Sequence, residues 1–297
     1  LVCLRLMDSN NRNNPSFTIN FCVPQNQFKT ISTSEGFELV RDSGTLVFRG
    51  GSLASKEAGD FTFKRNGSFE TFLSKEGITT DDDGAYYFKM FLGNVTKDYV
   101  LGVKKEGYQP TVRELGKMGI HGVSLAYLKD LGNTKYKGLE LEMVAKFAIH
   151  DVSIPYLKKL KEAGYGDIDA NMVKKFAIHD INIDYINGLS KLGYGNLDAN
   201  MLKNFAVHSI SLSYIKSLAD VGYGNLEPNM LKKFAVHSIS ANYIRSLKKT
   251  GISNPDANTI KKAKVHSLKA HDIERAMANG HDSKDLSDYI KLKIHGK

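Results

Sequence analysis

Apolar residues recur along this chain in two alternating helical registers. From Asp198 to Leu226 the sequence reads D-A-N-M-L-K-N-F-A-V-H-S-I-S-L-S-Y-I-K-S-L-A-D-V-G-Y-G-N-L. Met201, Leu202, Phe205 and Ala206 are spaced as one face of a helix, and Tyr214, Ile215 and Leu218 make a second such face. His208 closes the first helix, and Ser211, three residues on, suits the N-cap of the second. Ile210 and Ile215 flank that cap as a hydrophobic staple does. Gly222 ends the second helix at the left-handed position that glycine tolerates best. The pattern predicts a helix-turn-helix unit.

The unit repeats. His121, His150, His179, His208, His237, His266 and His295 stand 29 residues apart with no insertion or deletion. A fixed period of this length predicts stacked supersecondary units. Ten residues before each His from His150 onward stand Glu140, Asp169, Asp198, Glu227, Asp256 and Asp285, carboxylates suited to the N-cap of the first helix. Pro228 fits the first helical position after Glu227. Ser124, Ser153, Asn182, Ser211 and Ser240 fill the second N-cap, and Gly164, Gly193, Gly222, Gly251 and Gly280 the stop. Irregular units come earlier: Tyr99, Gly107 and Tyr108 copy Tyr185, Gly193 and Tyr194, with Gly93 in the place of the His. Phe69, Leu73 and Gly77 form a half unit before that, and the chain ends after a lone first helix.

The start follows a different rhythm. Residues 1–30 are rich in Asn, Ser and Gln and carry one strand, Phe17 to Val23. Phe37–Val40, Thr45–Phe48 and Asp60–Lys64 alternate with a period near two. Asp42-Ser43-Gly44 and Gly50-Gly51-Ser52 supply turns. A small antiparallel sheet of three or four strands is expected, packed on the first helices because it buries little alone. Asp81-Asp82-Asp83 suits a helix N-cap rather than a calcium loop, whose ligands alternate. The expected fold is mainly α: an α-solenoid of 29-residue helix-turn-helix repeats preceded by a small antiparallel β segment. The expected division is 1–66 for the tail and β segment and 67–297 for the array. Within the array, units 67–117 are irregular, 118–265 regular and 266–297 atypical.

The stretch His121-Gly122-Val123-Ser124 through Tyr127-Leu128, with its copies at Tyr156, Tyr185, Tyr214 and Tyr243, resembles a bacterial repeat read roughly as "hG-V-T-x-x-Y-I-x-x-L-x-x-x-G-Y". Repeats of this kind follow the membrane part of metallopeptidases similar to the β-lactam-sensor family and also occur in stand-alone secreted or periplasmic proteins. The β stretch from Asp42 to Phe48 and from Gly59 to Phe63 resembles the segment that often precedes them. The resemblance covers about residues 37–297 and implies a bacterial, extracytoplasmic repeat protein. It carries no protease chemistry here, because the H-E-x-x-H of the peptidase's zinc helix is absent from the chain.

Composition adds a basic bias. The 297 residues carry a net charge of +9. Residues 1–200 hold 25 Lys+Arg and 24 Asp+Glu, whereas residues 201–297 hold 16 and 8. Lys117, Lys146, Lys175, Lys233, Lys262 and Lys291 stand four residues before their histidines and predict a basic ridge, with Asn204 in the remaining place. Lys174, Lys232 and Lys261 lie beside it. An anionic partner suits such a ridge. Nucleic acid is disfavoured, because acidic N-caps sit six residues away and no aromatic or Arg platform accompanies the lysines. Successive histidines are too far apart to share a metal, since packed helices lie roughly 8–10 Å apart. They are expected to be buried at the inter-helix turns, with His266, His271 and His281 the denser group worth inspecting. The Tyr and Phe ladders predict core.

No apolar run approaches the roughly 20 residues of a membrane span. The chain begins at Leu1 without an initiator Met or a secretory signal, as a processed end or a cut from something longer would. Cys3 and Cys22 allow one disulfide without demanding it. There is no G-x-S-x-G, P-loop or nucleophilic Cys arrangement. The expectation is therefore a non-enzymatic scaffold without cofactor or metal, whose partner is another protein or further copies of itself. One alternative is a filament stacked head to tail through Leu286, Ile290 and Ile294 on the last helix. Another is the regulatory or sensor part of a membrane metallopeptidase system.

Overall fold

A computed structural model describes residues 1–7, 18–32, 36–50, 59–78 and 84–296. The reading of Asp81-Asp82-Asp83 and most of the turn at Gly50-Gly51-Ser52 lie outside the described residues. Two compact units divide the chain, Leu1–Ile154 and Pro155–Lys297.

The first unit opens on two antiparallel sheets rather than one. β1 (Val2–Met7) pairs with β2 (Thr18–Val23), and β3 (Phe28–Ser32), β4 (Gly36–Arg41), β5 (Gly44–Arg49) and β6 (Asp60–Arg65) pair in chain order. β1 and β3 are additions to the sequence expectation. β1 sets Cys3 opposite Cys22, and the two are joined by a disulfide. On β4 and β5, Leu39 faces Leu46 and Phe37 faces Phe48, so one face of the sheet is apolar. The helices of this unit are α1 (Gly67–Lys75), α2 (Gly84–Leu92), α3 (Lys97–Lys105), α4 (Val112–Ile120), α5 (Leu125–Gly132) and α6 (Leu141–Ile149). Phe91 and Leu92 of α2 join Leu6, Phe21, Leu39 and Leu46 in one core.

Polar contacts reinforce that core. The Arg41 guanidinium donates to the carbonyls of Phe91 and Leu92 at the C-terminus of α2, the second at 2.9 Å. A cation there meets the negative end of the helix dipole. The Asp42 carboxylate accepts from the backbone of Lys97 at 2.9 Å, at the start of α3. The expected boundary after residue 66 therefore runs through the interior of the first unit. A sheet this small completes its core with helices.

α7 (Ile154–Leu160) begins at the division between the units. The second unit continues with α8 (Ala170–Ile178), α9 (Ile183–Leu189), α10 (Ala199–Val207), α11 (Leu212–Ala219), α12 (Pro228–Val236), α13 (Ala241–Lys248), α14 (Ala257–Val265), α15 (Ala270–Ala278) and α16 (Leu286–His295). The first helices of the repeats contact one another in order, α8 on α10, α10 on α12, α12 on α14 and α14 on α16. Among the second helices, α9 packs on α11.

Each hairpin closes by the same backbone device. Ile210 N–H donates to Phe205 O at 2.9 Å and Ser209 N–H to Ala206 O at 2.9 Å, a Schellman closure of α10. The residue after the His is left-handed: Asp180, Ser209, Ser238 and Ser267 have φ of 52° to 55°. The hydroxyl of Ser211 then accepts from Tyr214 N–H at 3.1 Å and starts α11.

Two tyrosine series bind each repeat to the next. The hydroxyls of Tyr156, Tyr185, Tyr214 and Tyr243 donate to the carbonyls of Ile181, Ile210, Ile239 and Leu268, at 2.6 to 2.9 Å. Tyr165 and Tyr194 donate to Leu197 and Leu226, both at 2.8 Å. The rings of Tyr165, Tyr194 and Tyr223 meet Phe176, Phe205 and Phe234 at centroid distances of 5.7, 5.8 and 6.0 Å. In the last regular unit Ile252 and Ala263 take the places of that pair, and both are buried. The Phe ladder is core, as its spacing predicts, whereas Tyr127, Tyr156, Tyr185, Tyr214 and Tyr243, expected in the core, are half-buried: each phenol reaches a backbone carbonyl of the next repeat, a hydrogen bond that spacing alone does not reveal.

Candidate functional site

The surface that repeats is the outer face of the first helices in the second unit. On α8 the exposed positions are Asn171, Lys175, Ile178 and, at the C-cap, His179. Offsets of four, seven and eight residues put them on one side of the helix. α10 presents Asn200, Asn204, Val207 and His208 at the same places, α12 presents Asn229, Lys233, Val236 and His237, and α14 presents Asn258, Lys262, Val265 and His266. Asn204 and His237 are half-buried and the others exposed. Because these helices pack side by side, the four faces form one strip.

The aliphatic row within it has no counterpart in the sequence expectation. Ile178 and Val207 are 45% exposed, and Val236 and Val265 50%. The sequence signal was present, an Ile or Val immediately before each of these histidines. Next to Phe and Ala at the helix end, it reads as an extension of the buried face. The structure puts Phe176, Phe205 and Phe234 inside and the aliphatic residues outside.

The basic ridge divides into a closed and an open part. Lys117 pairs with Glu142 at 2.6 Å, and Lys146 reaches the same carboxylate at 3.6 Å. The Lys117 ammonium, by its hydrogen bond, holds the Glu142 carboxyl below the usual carboxylate range. Lys291 pairs with Asp288 at 3.1 Å. Lys175, Lys233 and Lys262 are exposed and form no ion pair among the described residues. Their neighbours Lys174, Lys232 and Lys261 are half-buried at the margin of the strip.

Three expectations change here. His179 and His208 are exposed and His237 half-buried, not buried at the turns. The turn closes through the backbone, and its apolar contact is made by residues such as Phe205 and Ile210, which leaves the imidazole outside. His266, His271 and His281 do not make a cluster: His271 sits 3.3 Å from Asp272, and no group of three metal-ligating side chains occurs among the described residues. Leu286 and Ile290 are 1% and 6% exposed, so they are not an uncovered assembly surface. α16 turns them, with Tyr289, into the core against α14 and α15. Ile294 alone of the three is exposed.

No helix among the described residues is long and apolar enough to cross a membrane. Comparison with protein-family models, curated proteins and solved structures finds no match to this chain.

Proposed function

We propose that the chain is an α-solenoid scaffold that binds another protein and carries out no catalysis. The observation that carries this reading is the sameness of the exposed first-helix face. Folding demands like residues inside, where the units must pack alike, but makes no such demand of solvent-facing positions. The second helices illustrate the difference. The exposed positions that α9, α11, α13 and α15 share are Asp184, Ser213, Asn242 and His271 in one row, and Asn187, Lys216, Arg245 and Glu274 in another. α8, α10, α12 and α14 instead keep Asn, Lys or Asn, Ile or Val, and His. Repeat arrays bind macromolecules along such extended surfaces.

The ordered contacts of successive first helices and the tyrosine bonds from repeat to repeat support the solenoid architecture. The resemblance to bacterial repeats supports an extracytoplasmic setting, and so does the Cys3–Cys22 disulfide, a bond that persists in oxidising compartments. A photo-crosslinking residue at Asn229 on the first-helix face, and separately at Asn242 on the second-helix face, tests the scaffold in the cell that makes it. Adducts to a different protein from either face are expected. Adducts only between copies of this chain would replace the scaffold with a structural assembly, and no adduct from either face would end it.

A further inference from the structure

We infer that the strip on α8, α10, α12 and α14 docks an acidic protein segment in extended conformation, with its carboxylates in a period of three. This deepens the scaffold reading and rests on it. Charge sets the sign of the partner. Residues 155–297 hold 22 Lys+Arg and 14 Asp+Glu, a net +8 of the chain's +9. Lys175, Lys233 and Lys262 point that charge outward without an ion-pair partner among the described residues.

Spacing sets the conformation. Packed helices lie about 8–10 Å apart. Three residues of an extended chain in the polyproline II conformation cover about 9 Å at 3.1 Å each, and its three residues per turn put every third side chain on the same side. A carboxylate at every third residue therefore meets one helix after another, and Asn204 leaves the second place for a neutral polar group. An extended segment also brings unpaired backbone N–H and C=O groups, which require partners. The Asn amides and imidazoles of the strip offer donors and acceptors to them. A bound helix would satisfy its own backbone and leave those two rows unused.

The aliphatic row sets the class of partner. A polyphosphate or sulfated glycan would leave Ile178, Val207, Val236 and Val265 uncovered, whereas a peptide lays side chains on them. Exposed Arg and aromatic stacking platforms are absent from the strip. A second copy would bring one cationic strip onto another, and like charges across an interface oppose association.

The test uses the full chain and a fluorescent peptide of five Asp-Ser-Val triplets, read by anisotropy. Its control has the same composition with all the Asp residues in one block. The periodic peptide is expected to bind at least about tenfold more tightly than the block. Lys175→Glu/Lys233→Glu/Lys262→Glu should abolish binding. Val207→Ser/Val236→Ser should weaken it about tenfold, as loss of apolar burial implies. Lys216→Glu/Arg245→Glu on the second helices should leave it unchanged. Melts that match the parent show that the variants fold. The inference is overturned if the periodic peptide does not bind or if the block peptide, heparin or single-stranded DNA binds as tightly. Strip variants that bind like the second-helix variant overturn it equally. Adducts to a different protein from Asn242 alone would leave the scaffold standing and remove the strip as its docking face.

Discussion

Phe205 has no exposed surface, and its ring meets Tyr194 at 5.8 Å. Phe205→Ala is expected to cost about 3–5 kcal/mol, the range for deleting a buried aromatic. Lys203→Ala, two residues away at a half-buried polar position, should stay within about 0.5 kcal/mol. Denaturant melts compare them, and equal effects would mean that the inside and outside of α10 are wrongly assigned. Tyr185 carries a different kind of stability. Its hydroxyl donates to Ile210 O at 2.6 Å, and burial pushes its phenol up to about 12. The unfolded value is about 10. The folded state thus holds the proton more tightly, and this contribution is complete below about pH 10 and lost as pH rises toward the folded value. Melts from pH 9 to 12 should show stability falling above pH 10. Tyr185→Phe should be about 0.5–1.5 kcal/mol less stable at neutral pH and should show a shallower alkaline fall. An equally steep fall in the variant would refute the assignment.

Helices in this chain start and stop for reasons that can be checked one by one. Asp169 and Asp198 accept from the backbone N–H three residues on, both at 2.8 Å. Glu140 and Glu227 stand at the same N-cap position and make no such bond. A Glu side chain is one methylene longer and reaches past the amide that Asp meets. Helix packing has an equally local cause at Gly93, the irregular unit's substitute for His. An added Cβ there would lie 2.1 Å from the carbonyl carbon of Gly119 at the end of α4. Backbone cannot swing aside as a side chain can. Gly93→Ala should therefore cost about 3 kcal/mol, at the upper end of overpacking. Gly132→Ala at the end of α5 meets nothing within 4 Å and should be neutral or stabilising by up to about 1 kcal/mol. Thermal melts of the two would reverse this order if α2 and α4 approach less closely than they do here.

At the scale of the whole chain, α16 bears on whether copies of the protein associate. α16 buries Leu286, Tyr289 and Ile290 and leaves Lys291, Lys293 and Ile294 exposed, so two of the three residues expected to drive self-association are taken up inside the unit. Light scattering of the full chain should give the monomer mass of 33.0 kDa over a wide concentration range. Leu286→Ala/Ile290→Ala should lower stability by about 2–5 kcal/mol per residue without changing that mass. A mass that rises with concentration in the parent and not in the variant would restore the filament.

Period, helix starts and helix stops are legible in the sequence because each is set within a few residues. Ser211 caps Tyr214 three positions away, and Gly222 takes φ 93° where a stop is due. Helical spacing also distinguishes the inner row of Phe176, Phe205 and Phe234 from the outer row of lysines. It gives an angle on a helix, however, and not what stands opposite that angle. Whether Lys117 is free depends on Glu142, 25 residues on. That the sheet and the first helices share one unit depends on contacts such as Arg41 reaching the end of α2, some 50 residues away. Residues at the border of the apolar face are decided by packing alone: Leu286 and Ile290 turn inward because α14 and α15 receive them, whereas Ile178, Val207, Val236 and Val265 remain outside because no element among the described residues covers them. The candidate site is made of such border positions, which is why the sequence showed its lysines and histidines but only the tertiary structure showed the strip.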